Sequence, residues 1–274
     1  MLIKNTKSIS SIKYTKSYFT NEVDWKILND FISGGNPRST ILKAYEYLKK
    51  FNRGLFLDIG CGRGELVVLL WRMRKKAIGI DYSKSSINLC NELYKDEIKK
   101  YNIRFLRCSA TNLQFADQTF KGVYMLDIVE HLTPQQLNKS LSEAYRVLDK
   151  NGYLVIHTNN KYFERITKPV LVFLYFGIKF IFNPNKYLEE SKHTFYEYMH
   201  INYLKATELD LLLRKIGYKT KIEYVKPEDK EGYKMINPFQ EKWKNILVQQ
   251  LASRLGGSIF DRYISPTYWV IARK

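Results

Sequence analysis

Three glycines alternate in the stretch FLDIGCGRGEL, as Gly60, Gly62 and Gly64, between an apolar run and a leucine. Glycine lacks the Cβ that keeps backbone away from a ligand, so a strand turning through such a loop into a helix brings amide N–H groups against a bound molecule. Several nucleotide cofactors are held this way, although tight strand-to-helix packing alone also calls for glycine. The flanks narrow the choice. Asp58 precedes the loop and Glu65 follows it, and two carboxylates repel a pyrophosphate. The third glycine also comes one residue early for the dinucleotide fingerprint GxGxxG. A cofactor with no phosphate and a positive charge suits this loop better.

S-adenosylmethionine is such a cofactor, with a sulfonium, an amino-acid tail and a ribose. Asp81 ends a second apolar run, KAIGID, about twenty residues past the loop, where nucleotide folds place the acid that accepts from two ribose hydroxyls. Methyl transfer from a sulfonium to a hydroxyl gains from a base, and histidine is the side chain best matched to proton transfer near neutral pH. The four histidines all fall near expected strand ends or in the segment after the fifth strand: His131 in VEHL, His157 in VIHT, then His193 and His200. His131 is the first choice as base; His157 and His200 are secondary catalytic candidates. The alternative for His131 is that it and Glu130 cap the loop after the fourth strand. No metal site is expected: the three cysteines are far apart without ligand spacing, and Asp127 beside Asn159 and Asn160 is a poor lure for a hard cation.

The elements that would position these groups alternate. The runs 54–59, 76–81, 103–108, 122–127 and 152–158 read as strands, and 64–75, 84–100 and 134–149 carry helical spacing. In the last, Leu137, Leu141, Ala144 and Leu148 share a face after Thr133 as cap and Pro134 in the first turn. Segment 206–218 reads as a further helix, with 219–225 and 266–274 as further strands. Strands that are nearly apolar throughout imply a mainly parallel, doubly wound α/β sheet covered on both faces, with ligands bound beyond the carboxyl ends of its strands. Residues 1–50 read as a helical N-terminal cap, with helices at 23–32 and 41–51, and 51–274 as the main domain. Residues 159–202 interrupt it as an insertion after strand five.

By this point the residues resemble the class I S-adenosylmethionine-dependent methyltransferases, especially the small-molecule and lipid branch that includes ubiquinone-biosynthesis enzymes. LDIGCGRGEL is similar to the glycine motif, GIDYS to the ribose motif and CSATNLQFADQTF to the adenine stretch. VYMLDIVEHL and EAYRVLDKNGYLVIHT are similar to the fourth- and fifth-strand motifs. The resemblance implies a Rossmann-like, seven-stranded sheet whose last strand inserts, reversed, beside the sixth. It also implies a cofactor set of Asp58, Gly60, Cys61 and Gly62 along the methionine, Asp81 and Tyr82 at the ribose, Ser109, Ala110 and Thr111 at the adenine, and Leu126 and Asp127 beneath the cofactor. Ser109 stands where the family usually has an acid, so recognition of the adenine amino group would use a backbone carbonyl or the serine hydroxyl.

The expected reaction is O-methylation, with nitrogen a weaker choice, of a small or lipid-linked hydrophobic acceptor. Lys+Arg 45 against Asp+Glu 27 gives +18, a field that draws anionic partners, although lysine-favouring composition also produces it. An RNA methyltransferase is the rival reading. Against it, the fourth strand ends in LDIVEH rather than an Asn/Asp-Pro-Pro-aromatic turn, there is no Pro-Cys or Thr-Cys nucleophile, and no RNA-binding module is recognisable. A protein that binds the cofactor without turnover is a third reading. Segment 168–182, KPVLVFLYFGIKFIF, is apolar almost all round; its fourteen residues from Pro169 would span about 21 Å as a helix, short of the roughly 30 Å of a bilayer core. A lid, a docking surface for anionic membrane, an ordinary core helix or a dimer contact all remain open for it. With no apolar signal stretch at the N-terminus and an odd number of cysteines, the expected location is the cytoplasm, with peripheral attachment to the inner membrane face in view.

Overall fold

The computed structural model describes residues 10, 13–21, 25–51, 53–167, 169–170, 183, 185, 199–225 and 261–274. His193, and all of segment 168–182 except residues 169–170, lie outside the described residues. Three helices, α1 (Lys16–Asn21), α2 (Trp25–Ile32) and α3 (Ser39–Leu48), lead into β1 (Leu55–Ile59), α4 (Glu65–Arg72), β2 (Lys76–Asp81), α5 (Lys84–Leu93), α6 (Lys95–Tyr101), β3 (Arg104–Arg107) and β4 (Phe120–Leu126). A 3-10 turn over Val129–His131 precedes α7 (Pro134–Val147) and β5 (Leu148–Asn159); α8 (Ala206–Ile216), β6 (Lys219–Tyr224), α9 (Asp261–Ile264) and β7 (Thr267–Arg273) complete the described chain.

The described strands form one seven-stranded sheet in the order β3-β2-β1-β4-β5-β7-β6. β1 to β5 pair in parallel, and β7 runs antiparallel between β5 and β6. Side-chain parity sorts the core into two layers. Leu57, Val123, Met125, Leu154, Ile156 and Val270 face α7 and α8, which contribute Leu137, Leu141, Leu209 and Leu213. Phe56, Tyr124, Val155 and Trp269 face the other way, against Ile41, Ala44 and Leu48 of α3 and the apolar side of α4. Both faces are covered, which is why these strands carry so little polar alternation.

The helix starts follow their capping residues. Thr133 accepts from the Gln136 backbone N–H while the Gln136 side chain accepts from Thr133 N–H, with Pro134 in the first turn. Ser83 caps α5. Two expectations need correction. The single helix expected over 84–100 breaks at Tyr94, whose φ of −116° leaves the helical region; its ring is fully buried between Phe31 and Phe105, so packing overrides the continuous pattern. The helix expected to 149 ends at Val147, and β5 starts at Leu148, before the glycine that seemed to mark its beginning. The short α1 had no periodicity by which to be read.

Candidate active site

The carboxyl ends of β1, β2 and β4 open onto one cavity of about 400 Å³, within the usual range for small-molecule sites. Gly60, Gly62 and Gly64 all adopt positive φ, at +75°, +51° and +77°. Gly64 is also held by space: a Cβ there would come 2.7 Å from the Phe105 ring. Around Gly62 the nearest such contact is the Phe19 ring at 3.8 Å, so Gly62 keeps room for a ligand rather than for packing. Gly60 and Cys61 donate their N–H groups to the Ile80 carbonyl, tying the loop to β2.

Of the expected cofactor set, Asp58, Gly60, Cys61, Gly62, Asp81, Tyr82, Ser109, Ala110, Thr111, Leu126 and Asp127 all line this cavity. Asp81 is buried, accepting from Ser83 N–H at 2.8 Å and Gly62 N–H at 3.2 Å; burial raises its pKa while those bonds draw it back. For Asp58, burial, then repulsion from Asp81, pushes the pKa up to about 7, with Arg38 opposing. A cation seated between the two carboxylates would offset both costs.

His131 and His200 also line the cavity, their ring centroids 4.9 Å apart. His131 Nδ1 lies 3.2 Å from the Met199 carbonyl and 3.1 Å from the Tyr14 hydroxyl. The carbonyl can only accept, so Nδ1 carries the proton and Nε2 is left as the basic nitrogen. Burial lowers the His131 pKa to about 4, which keeps the ring neutral. His157 does not line the cavity: it is 2% exposed and reaches it through Asp127, its Nδ1 2.6 Å from Asp127 Oδ1. Burial opposes ionisation of Asp127, but His157 beside it, with Arg38 and His131, holds its pKa below the ordinary value.

Glu130 is buried beneath the histidines. Its carboxylate accepts from Thr158 Oγ1 at 2.8 Å and Asn159 Nδ2 at 3.0 Å, and its backbone carbonyl accepts from the N–H groups of Ile201 and Asn202. Burial, then the Asp127 charge, pushes its pKa up to about 8. Glu130 thus ties residues 201–202 to the end of β4, and with His131 and His200 it brings three potential metal-ligand atoms within 4.8 Å of one another.

Two contributors carried no motif in the sequence. Arg38, in the turn before α3, lines the cavity 3.4 Å from Glu65, and its Nε has no hydrogen-bond partner among the described residues. Tyr14 closes the cavity from the N-terminal side: its carbonyl accepts from Ser83 Oγ and its ring meets Tyr82 edge-on. Charge and aromaticity in a turn-rich segment were the only signals available for either.

The residues fit S-adenosylmethionine: acids for a cation, a ribose acid, and an open glycine loop. Strand order, loop and acid together define the fold and cofactor site of the class I S-adenosylmethionine-dependent methyltransferases. The chain carries a domain of this class, residues 57–156 matching the family described as methyltransferase domain. A demethylmenaquinone methyltransferase of Bacteroides fragilis is 34% identical over 131 residues, 47% of this chain and 53% of its own; the chain thus spans about half the length of that relative. The ubiquinone/menaquinone biosynthesis C-methyltransferase UbiE of Rickettsia felis is 29% identical over 182 residues, 61% of this chain and 71% of its own. In fold, the chain is similar to a SAM dependent methyltransferase from Archaeoglobus fulgidus, with a TM-score of 0.54 at 22% identity over 92% of this chain and 100% of that one.

Proposed function

We propose that this protein transfers the methyl group of S-adenosylmethionine to an oxygen of a small or lipid-linked hydrophobic acceptor, with His131 as general base. The observation that carries the reading is the place of His131: it lines the cavity with Nδ1 3.2 Å from the Met199 carbonyl, an arrangement that leaves Nε2 to take a proton. Asp81 holds the ribose hydroxyls. Arg38 pairs with the carboxylate of the amino-acid tail, and Asp127 with its ammonium. Ser109, Ala110 and Thr111 lie along the adenine. The bound cofactor supplies a methyl group made electrophilic by the sulfonium; the protein's part is alignment, worth on the order of 7–11 kcal/mol, and removal of the acceptor proton.

Tyr14, Tyr18 and Phe19 line the cavity with aromatic rings, which supports a hydrophobic acceptor over a polar one. On this reading residues 1–50 cap the site and 159–202 form a lid or docking insertion on the main domain, 51–274. No helix among the described residues is long and apolar enough to cross a membrane, and attachment to an anionic membrane face from the cytoplasm is part of the proposal. A carbon acceptor is the second reading, favoured by the similarity to the Rickettsia C-methyltransferase; His131 would then deprotonate a ring hydroxyl that activates the carbon.

The test is transfer of label from methyl-radiolabelled S-adenosylmethionine into lipid, RNA and soluble fractions of a lysate, with Asp81→Ala as control. Enzyme-dependent label in lipid supports the proposal, and release of the label as volatile methyl iodide by hydriodic acid, which cleaves O–methyl but not C–methyl bonds, separates the two readings. Label confined to RNA, or cofactor binding without transfer, overturns it.

A further inference from the structure

The fold buries a histidine behind the cavity where a core strand would ordinarily carry an apolar residue. His157 sits in β5 between β4 and β7, opposite Leu126 on one side and Trp269 on the other. Its ring packs on the Trp269 indole at 4.5 Å between centroids, and it is 2% exposed. A polar ring in such a place is costly unless its nitrogens are used. Nδ1 is used, 2.6 Å from Asp127 Oδ1, a short charge-assisted bond.

Asp127 needs that support. It follows the last residue of β4 at a φ of +53°, a left-handed conformation that side chains seldom adopt. Its backbone N–H donates to the His157 carbonyl, so His157 holds both the main chain and the side chain of Asp127. Asp127 itself faces the cavity, with the Arg38 guanidinium close enough to bias its ionisation. An acid and an arginine that line the same cavity match a zwitterion: the arginine takes the carboxylate, the acid takes the ammonium.

We infer that His157 is a positioning residue for the cofactor's amino-acid tail, clamping Asp127 Oδ1 so that Oδ2 is presented to the α-ammonium group. The inference rests on the proposed function. It gives His157 no contact with the reacting atoms, so its loss acts on one end of one ligand.

Calorimetric affinities for two ligands test it: S-adenosylhomocysteine, and 5′-deoxy-5′-methylthioadenosine, which keeps the nucleoside and thioether but lacks the tail. The wild type should prefer S-adenosylhomocysteine. His157→Phe should weaken it roughly ten- to hundredfold, the scale of a hydrogen bond to a charged group, while methylthioadenosine changes by less than about twofold. His157→Asn, whose amide nitrogen replaces Nδ1, should recover most of the loss. Equal weakening of both ligands, or no weakening of either, overturns the inference. Should His157→Phe not fold, Asp127→Asn carries the same expectation, since it removes the charge and leaves the buried ring in place; a loss shared by methylthioadenosine again overturns it. A wild type that binds neither ligand overturns the proposed function instead.

Discussion

The Tyr14 hydroxyl lies 3.1 Å from His131 Nδ1, joining the N-terminal segment to the residue proposed as the base. Nδ1 also lies 3.2 Å from the Met199 carbonyl, so its one N–H is shared between two oxygens and the imidazole is held by that edge, with Nε2 left over.

His131→Gln should lower kcat by about 10²–10⁴-fold, the usual contribution of a general base, while S-adenosylmethionine affinity stays within about twofold. Stopped-assay kinetics beside calorimetry would show the split. Unchanged turnover would remove His131 from the chemistry.

Cofactor affinity should rise with pH. Asp58 has its pKa raised by burial and by Asp81 to about 7, so below that pH it is protonated and less attractive to a cation. Binding should release a proton near pH 7, seen as a dependence of calorimetric heat on buffer ionisation, and Asp58→Asn should abolish that release. The same shift acts on the unliganded fold. A folded pKa above the unfolded value stabilises fully below about pH 4, and that contribution is lost as pH rises through about 7. Asp58→Asn should therefore flatten the fall in Tm over this window.

Asp81→Ala should weaken S-adenosylmethionine by roughly ten- to hundredfold through loss of the ribose contacts. Calorimetry showing unchanged affinity would cancel the ribose assignment.

Arg38→Leu should reduce affinity for S-adenosylmethionine, and Arg38→Lys should restore part of it, because lysine keeps the charge without the planar fork. Removing the guanidinium also leaves buried Glu65 with Arg63 alone, at 2.7 Å. A drop in Tm without a change in affinity would make Arg38 a partner of Glu65 only.

Sedimentation with anionic liposomes should deplete the protein at low salt, and less at high salt as the attraction is screened. Failure to deplete would count against attachment through the apolar 168–182 stretch and the net charge of +18.

Much of the cofactor half was legible because its chemistry is local. One loop, one acid and their spacing read directly from residues 56–81, and the structure brings that loop and acid together in one cavity. Arg38 was not legible: it comes from the separate start of α3, and only the packing of that helix places it at the cavity. His157 was legible as a strand-end histidine but not as a buried one. In a sheet covered on both faces, parity carries no polar signal to say which way a side chain points. Tyr94 shows the same limit in a helix, where the break comes from the rings packed around it.

Tyr14 bridges the start of α5 and the turn after β4. Its carbonyl takes the Ser83 hydroxyl, while its phenol reaches His131. Under the proposed function, displacing Tyr14 would also remove a hydrogen-bond partner from His131 Nδ1, so access past this one residue and the orientation of the imidazole would be coupled.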